Sequence, residues 1–166
     1  GNPDYHIPNT SLIYHAHLNN TKVMMSIGGW TLSNDFSSIA ANPIKRSNFA
    51  HSCNELIRVY DIDGIDIDWE YPGFADHGGT ANDIINYTLL LQEVRDSLDV
   101  MENEVNKELL LTAAFSADPD KMDDIDWGEV IPLLDYINLM SYDLFGAFSS
   151  EANHNSPLYA PEVGNP

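Results

Sequence analysis

Hydrophobic and polar positions along the chain switch period several times, and each switch marks an element. Residues 22–27 (KVMMSI) form a short apolar run that ends at Gly28 and Gly29, the pattern of a buried strand followed by a tight turn. Asn42 before Pro43 supplies an N-cap and a proline at the first helical position. Phe49, Ala50, Cys53, Leu56, Ile57 and Tyr60 then recur at helical spacing and predict an amphipathic helix. Residues 62–70 read as a second strand. Ile84, Tyr87, Leu91, Val94, Leu98 and Met101 step by three and four, which predicts a further helix. Residues 109–115 (LLLTAAF) read as a third strand, 124–134 (DIDWGEVIPLL) as a short helix interrupted at Pro132, and 136–142 (YINLMSY) as a fourth strand. The early segment SLIYHAHLNN predicts a helix ahead of all of these.

Strict alternation of helix and strand, with near-continuous apolar strands, predicts an α/β fold. Its parallel βα units would be joined by right-handed crossovers that bury both faces of the sheet. No internal repeat or linker divides the chain, and its 166 residues suit one domain. Apolar residues at 43% and average Gly and Pro content place it among globular chains.

Charge narrows the partners. The 26 acidic side chains outnumber 7 basic ones, a net charge of −19, and that field repels nucleic-acid phosphates and anionic lipid surfaces. Nucleic-acid and membrane partners are therefore not expected, and no run approaches the roughly 18 apolar residues of a membrane span. The single Cys53 excludes an intramolecular disulfide and a zinc site of paired thiolates, and reads as a small buried apolar side chain. His15, His17 and the other histidines lack ligand spacing, so neither a metal nor a cofactor is assigned. Asn9, Asn19 and Asn86 begin acceptor sequons, which matter only in a eukaryotic secretory context.

The segment DIDGIDIDWEYPG, residues 61–73, carries the chemistry. Alternation sends Ile65, Ile67 and Trp69 to one face and Asp66, Asp68 and Glu70 to the other. Successive carboxyls on one strand face stand roughly 6 to 7 Å apart, so each feels its neighbour's charge and one or more pKa values should rise. A solvated acidic edge strand is the bland alternative. A calcium site is another, but the EF-hand loop wants acids at positions 1, 3 and 5 with Gly at 6, and Gly64 follows only two acids here. Glu70 is last in the row, where strand becomes loop, and suits a general acid toward a glycosidic leaving oxygen. An ordinary retaining glycosidase also needs a carboxylate nucleophile about 5 Å away across the bond. Asp68, on the same strand and side as Glu70, is badly placed for that, and a nucleophile supplied by the substrate removes the difficulty.

These residues resemble the family 18 glycoside hydrolases, the chitinase family. Asp63, Asp66, Asp68 and Glu70 in DGIDIDWE reproduce the family's signature of three aspartates and a glutamate. SIGGW (26–30) is similar to its third-strand motif and MSYD (140–143) to its sixth-strand motif, while NYTLLLQEVRDSL looks like its helix after the acidic strand. MSYDLFGAF and HNSPLY (154–159) look most like bacterial-type members. The resemblance implies a (β/α)8 TIM barrel and retaining, substrate-assisted hydrolysis of β-1,4-linked N-acetylglucosamine polymers, with chitin or chitooligosaccharides as partner. It implies that Glu70 is the acid and then the base, and that Asp68 accepts the substrate's acetamido N–H. Asp66 would share a proton with Asp68, and Ser26 would donate to Asp66. Tyr142 would donate to the acetamido oxygen, Asp143 would bind the sugar, Met140 would pack beneath it, and Trp30 and Tyr71 would add aromatic surface. Asp63, of opposite parity to the acidic row, reads as structural. An endo-β-N-acetylglucosaminidase shares the acidic motif. A non-catalytic chitinase-like lectin, which has lost the acid, fits less well because Glu70, Asp68 and Tyr142 are intact.

Length qualifies the expectation. A (β/α)8 barrel takes about 250 residues, and the four strands match the family's third to sixth. Residues 1–166 are therefore expected to be an incomplete barrel, an internal piece of a longer enzyme, consistent with a start at GNPDYH without Met. Secretion is expected for the parent enzyme from the resemblance alone.

Overall fold

The computed structural model describes residues 9–150 and 152–159, so the opening GNPDYH and the terminal GNP lie outside the described residues. Four strands, β1 (Met25–Gly28), β2 (Gly64–Asp68), β3 (Leu110–Ser116) and β4 (Tyr136–Met140), form one sheet in the order β1-β2-β3-β4, with every neighbouring pair parallel. The helices are α1 (Thr10–Leu18), α2 (Phe36–Ala40), α3 (Pro43–Tyr60), α4 (Asp83–Val105), α5 (Pro119–Met122) and α6 (Trp127–Val130). Single 3-10 turns lie at Ala75–His77 and Ile131–Leu133. This is the strand-helix order of a partial (β/α)8 barrel.

Local chemistry sets the helix ends. Asn42 caps α3 by accepting the Ile44 and Lys45 N–H groups, and Pro43 occupies the first turn. Asn9 caps α1 in the same way, through Ser11 and Leu12. The 124–134 segment splits into α6 and a 3-10 turn at Pro132, which cannot donate to an α-helical ladder. Short α2 and α5 were not expected from the pattern.

The strands are shorter than the apolar runs. β2 stops at Asp68 because its partner β1 turns away at Gly28, the last paired residue. β4 stops at Met140, opposite the last residue of β3, and the Ser141 N–H turns back to the Leu139 carbonyl. Ser141 and Tyr142 therefore leave the sheet, unlike the expected strand over 136–142.

Parallel register divides the side chains between two faces. Ile65, Ile67, Leu111, Ala113 and Phe115 are buried beneath the helices, with Cys53 and Ile57 of α3 and Tyr87, Leu91, Val94 and Leu98 of α4. Each of the Val, Leu, Ile and Phe side chains among them contributes roughly 1.5–3 kcal/mol by leaving water. Burial pushes the Cys53 thiol up to about 12, which makes it an inert core group. The opposite face carries Ser26, Asp66, Asp68, Thr112 and Asn138 and leads to the cleft beside Asp68, with Thr112 alone buried on it. Among the described residues, helices therefore cover one face of the sheet and not the expected two. No described helix is long and apolar enough to cross a membrane.

Candidate active site

Asp66 is the polar centre of the open face. Its Oδ2 accepts the Ser26 hydroxyl from β1 at 2.7 Å. Its Oδ1 accepts Thr112 Oγ1 from β3 at 2.6 Å and Asn138 Nδ2 from β4 at 2.9 Å. One carboxylate thus ties together all four strands, and both of its oxygens are committed. Thr112 and Asn138 were not singled out in the sequence, although each is a polar residue inside an apolar run on the side of the sheet that carries the acids.

Asp68, two residues on, sits differently. Its Oδ1 is buried with no hydrogen-bond partner among the described residues. Burial first, then the Glu70 and Asp66 charges, push its carboxyl up to about 6. Its main chain is fixed from the turn just after β1: the Gly29 N–H donates to the Asp68 carbonyl at 2.7 Å. A Cβ on Gly28, whose φ is +121°, would stand 2.1 Å from that carbonyl oxygen. Gly28 is thus required both by conformation and by close approach.

Glu70 lies past the end of β2. Its N–H donates to Ser33 Oγ at 2.9 Å, and its carbonyl accepts from the His77 ring at 2.6 Å. Tyr71 follows, its phenol pushed up by burial and then by the Glu70 carboxylate. The loop from Gly73 to Thr80 is anchored by fully buried Asp83 at the start of α4. This carboxylate accepts from Ser37, the Gly73 N–H, and the N–H and hydroxyl of Thr80. Sequence reading passed over Asp83 because an acid in a helix's first turn is ordinary.

Asp68, Glu70 and Tyr71 line an open cleft of about 1130 Å³ with Trp30, Met140 and Tyr142. That volume exceeds the roughly 300–1,000 Å³ of a typical small-molecule pocket. Trp30 and Tyr142 are each about half exposed, at 54% and 53%. The Trp30 ring packs on His77, Phe74 and Tyr71, and the Lys121 ammonium lies 3.8 Å from the Phe74 ring centroid. Asp143, at the cleft rim with φ +54°, accepts Asn155 Nδ2 at 2.8 Å, and Ser156 donates to the Ser141 carbonyl. The segments MSYD and HNSPLY therefore meet in space.

Asp63 lies at the other end of the sheet. It accepts from the Val23 N–H and His17 Nε2 and pairs with Lys107. Burial alone would raise its pKa, but the Val23 N–H, His17 and Lys107 outweigh it and hold the carboxyl below its ordinary value. These contacts anchor the N-terminal edge of the sheet, away from the cleft. Among the described residues no group of three or more His, Cys, Asp or Glu is arranged to hold a metal ion.

Carboxyls at the C-terminal ends of parallel strands, beside a cleft on one face of a βα sheet, mark the face on which βα-barrel enzymes carry their active sites. Within that class, residues 6–165 match Glycosyl hydrolases family 18, and the chain belongs to this family. It is 39% identical over 142 residues, 84% of its length, to Chitinase A1 of Niallia circulans, covering 20% of that protein. It is 43% identical over 143 residues, 85% of its length, to Endochitinase 1 of Metarhizium robertsii, covering 32% of that protein. Among solved structures, a family 18 N-acetylglucosaminidase from Paenibacillus barengoltzii superposes with a TM-score of 0.88 at 33% identity, over 95% of this chain and 48% of the other. The chain thus spans about half or less of the length of the relatives it matches.

Proposed function

We propose that the protein is a chitinase: a retaining glycosidase that hydrolyses β-1,4-linked N-acetylglucosamine polymers by substrate-assisted catalysis. The observation that carries this reading is Asp68 Oδ1, buried without a partner beside the cleft. A buried acceptor left unpaired costs about 1–3 kcal/mol, and once the carboxyl turns toward the cleft the substrate's 2-acetamido N–H is a donor that would satisfy it. The carboxyl, raised to about 6, is ionised at neutral pH and ready to accept.

With its N–H held by Asp68, the acetamido group turns its carbonyl oxygen to the anomeric carbon. Protonated Glu70 gives its proton to the glycosidic oxygen as the C1–O bond breaks and the acetamido oxygen bonds to C1. The result is an oxazolinium ion and a free leaving hydroxyl. Glu70, now a carboxylate, takes a proton from water as that water attacks C1. The ring reopens to the acetamide, and Glu70 is protonated again. Two displacements at C1 give net retention. Asp66, fixed by Ser26, Thr112 and Asn138, shares a proton with Asp68 as Asp68 changes partners. Tyr142 supports the acetamido oxygen, and Asp143, Met140, Trp30 and Tyr71 hold the sugars.

MSYDLFGAF and HNSPLY support placement with the bacterial-type chitinases, and action outside the cell is proposed on family resemblance alone. N-acetylglucosaminidase activity, named for the Paenibacillus relative, would follow from the same chemistry.

Proton NMR of chitohexaose cleavage by the longer enzyme that contains this chain tests the reading: β-anomeric product should appear first, and α-anomer first or no cleavage overturns it, while residues 1–166 alone are expected to show little or no turnover. Glu70→Gln should lower kcat by about 10²–10⁴-fold, the span of a lost general acid, while oligosaccharide binding stays within about threefold. An equal loss of binding would give Glu70 a structural role instead.

A further inference from the structure

Glu70 stands two residues beyond the end of β2, where sheet pairing has stopped. Its main chain is nonetheless bonded on both sides by side chains, Ser33 from the loop after β1 and His77 from further along its own β2–α4 connection. Ser33 Oγ accepts the Glu70 N–H at 2.9 Å and donates to the Gly29 carbonyl at 2.8 Å, with the Asp68 carbonyl at 3.2 Å. Ser33 is completely buried, so water cannot replace it in this network. On the other side, His77 Nδ1 lies 2.6 Å from the Glu70 carbonyl. A carbonyl only accepts, so this nitrogen carries the proton and the ring's orientation is set. The ring is further held by Trp30, whose centroid is 4.3 Å away, and by Phe74 at 5.2 Å. The turn that carries His77 is pinned at its flanks by Asp83, through Gly73 and Thr80.

We propose that Ser33 and His77 are positioning residues that clamp the Glu70 main chain from its two ends and so aim its carboxyl into the cleft. The clamp does for Glu70 what the sheet ladder does for Asp66. A glutamate on an unsupported loop would sample many directions, and misplacement of a reacting group by about 1 Å can cost about a hundredfold in rate. This inference rests on the glycosidase reading of Glu70.

The test uses the intact protein with Ser33→Ala, His77→Leu, His77→Asn and His77→Gln. Asparagine places an amide N–H near the position of Nδ1, and glutamine places one nearer Nε2. Ser33→Ala and His77→Leu should lower kcat on chitooligosaccharides roughly 10- to 100-fold with KM within about threefold. His77→Asn should recover most of the rate and His77→Gln should not. Hydrogen exchange at the Glu70 amide should accelerate at least about tenfold in Ser33→Ala, a readout independent of turnover. A raised KM with unchanged kcat, equal recovery by Asn and Gln, or unchanged Glu70 exchange overturns the clamp. If Ser33→Ala fails to fold, the half-buried His77 series decides. If the unaltered protein cleaves no N-acetylglucosamine oligomer, the activity reading fails, and the exchange experiment alone decides whether the Glu70 main chain is held.

Discussion

Thr112 Oγ1 on β3 donates to Asp66 Oδ1 on β2 at 2.6 Å, inside a sheet whose other face at this level is entirely apolar. The threonine is 3% exposed, so no solvent stands in for its hydroxyl if it is lost. Thr112→Val keeps the shape and the strand preference but leaves Asp66 Oδ1 with Asn138 as its remaining donor. Thermal or urea unfolding should show a loss of about 1–3 kcal/mol, the range for removing one partner of a buried hydrogen bond, and chitooligosaccharide turnover should fall several-fold. Thr112→Ser should lose much less of both, because the hydroxyl is retained.

Gly28 gives a sharper steric prediction. Its φ of +121° disfavours any L side chain, and an added methyl would stand 2.1 Å from the Asp68 carbonyl. Gly28→Ala should cost at least about 2 kcal/mol in chemical denaturation, above the ordinary range for a surface glycine. It should also reduce turnover beyond what the stability loss explains, because Asp68 must move. Gly128→Ala is the control: it lies in α6, its Cβ would meet Asp126 Oδ1 at an ordinary 3.5 Å, and it should be neutral or stabilising by up to about 1 kcal/mol.

Features written in a repeating period were legible from sequence, and features that depend on one loop meeting another were not. Alternation over residues 64–70 separates Ile65, Ile67 and Trp69, all buried, from the carboxyls on the open face. The helical spacing from Tyr87 to Met101 likewise locates the buried face of α4. Helices α2 and α5, of five and four residues, are shorter than the pattern needs to declare itself. Ser33, His77 and Asp83 act across 37, 7 and 46 residues of sequence, through loops with no period at all. Thr112 and Asn138 are intermediate cases. A polar residue on a buried strand, on the acid-bearing side, was a visible signal whose partner only the register of the sheet could supply.

The raised Asp68 carboxyl makes stability depend on pH with a definite sign. In the unfolded chain it titrates near 3.8, and in the folded protein at about 6, so the folded state holds the proton more tightly. Its contribution is full below the unfolded value, declines as pH rises between about 4 and 6, and levels off above. Asp68→Asn removes that slope. Relative to the unaltered protein, the variant's stability should rise across this window and remain higher above it. The gain should be on the order of 1 kcal/mol after allowance for solvent screening, while turnover is lost. Denaturation midpoints of both proteins at pH 4, 5, 6 and 7 check this, and parallel curves would remove Asp68 as the source.

Among the described residues the sheet has two edges, β1 and β4, and the second is the more exposed. Ile137 and Leu139 project from the helix-covered side of the sheet, where β4 has little cover, and remain 43% and 52% exposed. An edge with open N–H and C=O groups and apolar side chains is a template for pairing with another chain, and neither lysine nor proline blunts this one. The chain of 166 residues expressed alone should therefore self-associate, with size-exclusion chromatography and light scattering giving a mass above the monomer that grows with concentration. Ile137→Lys with Leu139→Lys places like charges along the edge and should shift the population toward monomer without touching Asp66, Asp68 or Glu70. A monodisperse monomer from the unaltered chain at high concentration would show that this edge is not sticky. A lysine variant that associates equally would move the contact to β1.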